Sequence, residues 1–101
     1  MATPESKVKD AVKKYLTSEG VWHFMAFGGG YGRAGIPDII CCVNGWLVAV
    51  ECKAGKGHTT ALQDREMQRI QDAGGYAIVV SDNPETFIAL GELITRLSYN
   101  T

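Results

Sequence analysis

The chain has 101 residues, of which 46% are hydrophobic and 21% charged, with 3 prolines. That is enough for one core that buries roughly 65% of the unfolded chain's surface, and too apolar for a disordered segment. A net charge of −1 excludes a chain that binds nucleic acid by bulk charge alone. The expectation is a single domain over residues 1–101.

The charges are unevenly spread. Residues 1–69 hold nine of the ten Lys/Arg against seven acids, whereas residues 70–101 hold only Arg96 against four acids. Either one side is basic or these are ordinary solvated helix faces. The N-terminal Met-Ala-Thr-Pro-Glu-Ser-Lys is polar where a secretory leader needs an apolar stretch. Apolar runs such as 39–43 and 46–50 are five residues each and none is longer, against the roughly 20 that a membrane span needs. The chain is therefore expected to be intracellular and without membrane spans. Cys41, Cys42 and Cys52 contain no CxxC pair and have no histidine at zinc spacing. They read as reduced thiols filling the interior.

In chain order, Thr3 caps a first helix with Pro4 at its start and Glu5 in its first turn. Val8, Ala11, Val12, Tyr15 and Leu16 then recur at helical spacing until Gly20. Residues 22–27 read as a strand running into a loop with glycine at 28, 29, 30, 32 and 35. A second strand spans 37–43. Asn44-Gly45 is the favoured two-residue hairpin turn, and the returning strand spans 46–53. Thr59 or Thr60 starts a helix to Ala73, closed by Gly74-Gly75. Residues 76–81 form a buried strand. Asn83-Pro84-Glu85 then starts a last helix with the stripe Phe87, Leu90, Ile94 and Leu97. The predicted order is α-β-β-β-α-β-α.

With Asn44-Gly45 as the turn, Val43 faces Trp46, Ile40 faces Ala49 and Asp38 faces Glu51. Directly opposed carboxylates destabilise a strand pair. Three outcomes relieve them: one is protonated, the strand ends fray, or a divalent cation sits between hard oxygen ligands suited to Mg²⁺ or Mn²⁺. Lys53 follows Glu51 on the same face, while Cys52 points oppositely with Val48 and Val50. Alone, Glu51 and Lys53 would read as a surface ion pair; with Asp38 in register they read as a cation beside a metal pocket. Glu5, at the head of the first helix's apolar stripe, either completes that pocket or complements the helix dipole. Gln63, four before Met67 and seven before Ile70, places an amide on the core side of its helix. It either anchors a backbone group or orients a water or phosphate beside Lys53. His23 and His58 are assigned no catalytic role.

Glu5 on a first helix, Gly35-Ile36-Pro37-Asp38, Glu51-Cys52-Lys53 and a downstream Gln63 resemble the PD-(D/E)XK nuclease superfamily, specifically its virus-type replication-repair nuclease (VRR-NUC) domains. The resemblance spans residues 3–95. It implies an α/β, restriction-endonuclease-like α-β-β-β-α-β core, with a mixed central sheet flanked by helices and an added C-terminal helix. It further implies that Asp38, Glu51 and the Cys52 backbone carbonyl hold Mg²⁺ or Mn²⁺, with Glu5 as an outer or second ligand. Lys53 would position and activate the attacking water, with Gln63 beside it. Stand-alone members are similar to phage-encoded homodimers that cut branched DNA such as four-way junctions, so a phage or bacterial origin is implied. A flap nuclease and a DNA-binding module that keeps the fold without cutting are the alternatives. Arg33, Lys56 and the loop glycines Gly30 and Gly32 are the candidates for backbone contacts to DNA.

Overall fold

Three polar caps start three helices in the computed structural model, which describes residues 3–26 and 34–99. Thr3 accepts the Ser6 N–H at 3.1 Å and Pro4 opens α1 (Pro4–Ser18). Thr60 opens α2 (Ala61–Asp72) with a reciprocal capping box: its hydroxyl accepts the Gln63 N–H at 3.2 Å, and the Gln63 side-chain oxygen accepts the Thr60 N–H at 2.9 Å. Asn83 accepts the Glu85 N–H at 3.1 Å and Pro84 opens α3 (Pro84–Ser98). All three starts fall where the cap and proline chemistry predicts.

Four strands, β1 (Trp22–Met25), β2 (Ile39–Val43), β3 (Trp46–Cys52) and β4 (Tyr76–Val80), form one sheet in the order β1-β2-β3-β4. The first three are antiparallel and β4 joins β3 in parallel through the α2 crossover. The result is an α/β arrangement with a four-stranded mixed sheet and three helices in the predicted order. The hairpin register is as read from the turn, with Val43 opposite Trp46 and Ile40 opposite Ala49. Asn44 and Gly45 carry φ of 52° and 86°, the left-handed pair that this two-residue turn requires.

Each strand is shorter than predicted. β1 ends at Met25, after which the Ala26 N–H donates to the Asp38 carbonyl at 2.8 Å; Phe27 lies outside the described residues. β2 starts at Ile39 rather than Pro37, because proline has no N–H to donate and Asp38 turns its carboxylate onto the neighbouring strand. β3 ends at Cys52, although the Lys53 N–H still donates to the Val80 carbonyl at 2.9 Å. β4 ends at Val80, and its first four residues are half-buried rather than buried, as befits the last strand in the sheet order.

One sheet face carries Ile39, Cys41, Val43, Val48, Val50 and Cys52 into a core closed by Val8, Val12 and Leu16 of α1 and by Leu90, Leu93, Ile94 and Leu97 of α3. Burying one such leucine fully is worth about 1.5–3 kcal/mol. The opposite face carries Ala49 and Glu51, with α2 packed over its β4 side. Farther along that face Trp22, Phe24 and Leu47 are exposed, and so is Cys42. The expectation of three interior cysteines therefore fails at Cys42: strand alternation sends it away from Cys41, onto the side that α2 leaves open. No helix among the described residues is long and apolar enough to cross a membrane.

Candidate metal centre

Three acids from three elements meet where β3 ends, β2 begins and α1 starts. Each of Glu5, Asp38 and Glu51 offers a carboxylate oxygen within 4.8 Å of the other two. The hairpin brings Asp38 and Glu51 together and the first turn of α1 adds Glu5. The ladder stops before Asp38, yet the two side chains do not diverge. The Asp38 Oδ2 accepts the Cys52 N–H at 2.8 Å, a hydrogen bond that ties the bend to the last residue of β3. Its Oδ1 pairs with Lys9 Nζ at 3.5 Å.

Glu51 is only 1% exposed. Its Oε2 accepts from Gln63 Nε2 at 3.0 Å and pairs with Lys53 Nζ at 3.2 Å, while its Oε1 is buried with no hydrogen-bond partner among the described residues. Burial pushes the Glu51 carboxyl up to about 7 and the Asp38 charge pushes the same way, against Lys53, which lowers it. Near neutral pH the ionised form is thus held at a cost, in a side chain that keeps one buried oxygen without a partner among the described residues and has two further carboxylates close by. Such a set of hard donors fits a divalent cation.

Gln63 anchors a backbone group, one of the two roles its position allowed, and also meets a carboxylate that its position did not specify. Its oxygen closes the α2 capping box and its amide nitrogen holds Glu51, so the two partners fix which way the amide points. Lys53 and Glu51 are not a surface pair, since their side chains are 14% and 2% exposed. The Cys52 thiol is buried in the core and pushed up to about 12 by burial, leaving only its backbone to serve the site. An open pocket of about 460 Å³ adjoins the cluster, lined by Thr3, Pro4, Glu5, Lys53, His58 and the turn at Gly55 and Gly57. Lys56 is exposed on that turn. Gly30, Gly32 and Arg33 lie outside the described residues.

Three residues of this region went unassigned in the sequence. Lys9 sits one helical turn after Glu5, an i,i+4 spacing that shares a face. His58 lines the pocket. Glu66, three residues after Gln63 on α2, is buried and pairs with Arg69 at 3.6 Å. Spacing from Glu5 and Gln63 was the available signal for the first and the last. No protein-family model matches the chain, and no curated protein matches it, so its chemistry is argued from the residues themselves.

Proposed function

We propose that this chain is a metal-dependent DNA endonuclease of the PD-(D/E)XK kind, similar to the stand-alone VRR-NUC domains, with a restriction-endonuclease-like core and branched DNA as substrate. One observation carries the reading: carboxylates from α1, the bend before β2 and β3 lie within 4.8 Å of one another, and the buried one, Glu51, keeps an oxygen with no partner among the described residues and has a lysine 3.2 Å away. Asp38 and Glu51 would hold Mg²⁺ or Mn²⁺, with Glu5 and the Cys52 carbonyl completing the set. When bound, the ion supplies a more acidic water and neutralises charge on the phosphate oxygens.

The remaining work falls to the chain's own groups. Gln63 and Lys53 both hold the Glu51 Oε2, so the orientation of the carboxylate does not depend on the substrate. The Lys53 ammonium, close to Glu51 and mostly shielded from solvent, donates hydrogen bonds to a water or phosphate oxygen in the adjoining pocket and stabilises negative charge as it develops. Lys56, exposed on the turn beside the pocket, contributes salt-sensitive contacts to the DNA backbone. Two copies of the chain would present two such sites to a two-fold symmetric junction.

The test is a substrate panel of four-way junctions, flaps, duplex and single strands with Mg²⁺ or Mn²⁺, run on the unsubstituted protein and on Asp38→Ala, with a sizing measurement alongside. Cleavage of a junction that vanishes in Asp38→Ala is the expected result. Uptake of DNA with every substrate intact would leave a binding module, and cleavage confined to flaps would replace the junction assignment.

A further inference from the structure

The first helix reaches the carboxylate cluster with two groups of opposite charge. Glu5, in its first turn, adds a third acid to Asp38 and Glu51. Lys9, one turn later, pairs with the Asp38 Oδ1 at 3.5 Å, with the two side chains 30% and 22% exposed. The other Asp38 oxygen is held by the Cys52 N–H, so Lys9 engages the oxygen that is left. Lys53 pairs with Glu51, at the Oε2 that also accepts from Gln63. Two ammonium groups thus partly neutralise three acids.

Resting on the metal reading above, we infer that Lys9 is a built-in counter-ion that stands in for the divalent cation at Asp38 and competes with it. In the ion-free protein the Lys9–Asp38 pair ties α1 to the start of β2. On cation binding Asp38 is shared with the ion, the Lys9 pair weakens, and Glu5 takes over as the tie between α1 and the sheet. Lys9 and Glu5 therefore act in alternation from one helix face, and α1 stays docked in both states. Lys9 is a positioning residue in this scheme, because it acts through Asp38.

The experiment is calorimetric titration of Mn²⁺ into the unsubstituted protein, Lys9→Gln, Lys9→Met and Lys13→Met, with thermal unfolding of each in EDTA. Lys13, exposed one turn farther along α1, controls for the loss of one positive charge at longer range. Removing the competitor is expected to tighten Mn²⁺ binding about two- to fivefold in both Lys9 variants, the range set by the strength of a partly exposed ion pair. Their melting temperature in EDTA is expected to fall by a few degrees, since such a pair is worth up to about 1 kcal/mol in a domain of this size. Lys13→Met should change neither by as much. A purely structural role for Lys9 would lower the melting temperature without tightening Mn²⁺. Unchanged or weaker Mn²⁺ affinity in both Lys9 variants, with normal uptake by the unsubstituted protein, overturns this inference alone. No Mn²⁺ uptake by the unsubstituted protein removes the metal reading and this inference with it.

Discussion

Replacing Glu51 with glutamine should stabilise the ion-free protein at alkaline pH. Burial and the Asp38 charge raise the Glu51 carboxyl from its ordinary 4.5 to about 7. At roughly 1.4 kcal/mol per pH unit, the folded state loses about 3 kcal/mol as pH rises through that interval. The sign follows from proton binding. Between pH 4.5 and about 7 the folded protein holds the Glu51 proton more tightly than the unfolded chain does, so the stabilisation is complete below the lower value and gone above the upper one. Glutamine keeps the side-chain length and an oxygen to accept the Gln63 amide, but has no charge to bury. The attraction to Lys53 that it gives up is already included in the value of about 7 and is not subtracted again. The balance at about pH 8 is a gain of up to about 3 kcal/mol, or roughly 10–20 °C in melting temperature for a domain of this length. At about pH 4.5 the advantage should shrink to within about 1 kcal/mol of zero. Circular dichroism melts in EDTA at both pH values check this. Saturating Mn²⁺ should then erase most of that difference, because ligand at about a hundred times its Kd adds about 2.7 kcal/mol to the unsubstituted protein and little to the variant. A Glu51→Gln protein no more stable than the unsubstituted one at either pH would refute the claim that this carboxylate is buried at a cost.

Other substitutions isolate the supporting parts. Gln63→Ala removes the α2 capping box and the amide that holds Glu51, and should lower urea stability by about 2 kcal/mol. Gln63→Glu keeps a capping-box acceptor but sets a second carboxylate against Glu51, so its stability should fall more steeply than that of the unsubstituted protein between about pH 5 and 8. Gly35→Ala places a Cβ 2.4 Å from the Leu62 carbonyl oxygen at φ +86°, and should cost at least about 2 kcal/mol. Gly74→Ala, at φ +98° with nothing within 4 Å, tests the left-handed backbone alone and should cost about 1 kcal/mol. Equal losses at these two glycines in urea titrations would mean that the approach of residue 35 to α2 carries no energy.

What was legible in the sequence was local chemistry. Asn44-Gly45 admits few turns, and once that turn is set the pairing of Ile40 with Ala49 follows by counting, which brings Asp38 toward Glu51. Caps at Thr3, Thr60 and Asn83 are likewise decided within a few residues of themselves. Gln63 was ambiguous because a helix position says which way a side chain leaves but not what it meets; it meets both a cap and a carboxylate. The Lys9–Asp38 pair was hidden for a different reason: it depends on the angle at which α1 crosses the end of the sheet, and no local pattern specifies that. Cys42 was readable and was misread, since adjacent residues on a strand cannot both face the core. Glu66 was hidden because a charged helix residue reads as solvated, and its burial beside the sheet depends on how α2 packs.

The same topology that crowds three acids also tempers their repulsion. A parallel β3-α2-β4 unit sets the carboxyl end of β3 near the start of the crossover helix, the place where open α/β sheets commonly build their ligand sites. Glu51 stands at that end of β3 and is held by Gln63 from the first turn of α2. Glu5 stands in the first turn of α1. Two helix N-termini, each equivalent to about half a positive charge and stabilising a nearby anion by about 0.3–1 kcal/mol, therefore border the cluster along with Lys9 and Lys53. These contributions are of the size needed to let the ion-free chain fold with its acids together, and they fall short of what would leave Glu51 an ordinary carboxylate. The three acids are therefore held together in the ion-free chain, and the residual cost at Glu51 is the part that a proton, a neutral substitution or the proposed cation would remove.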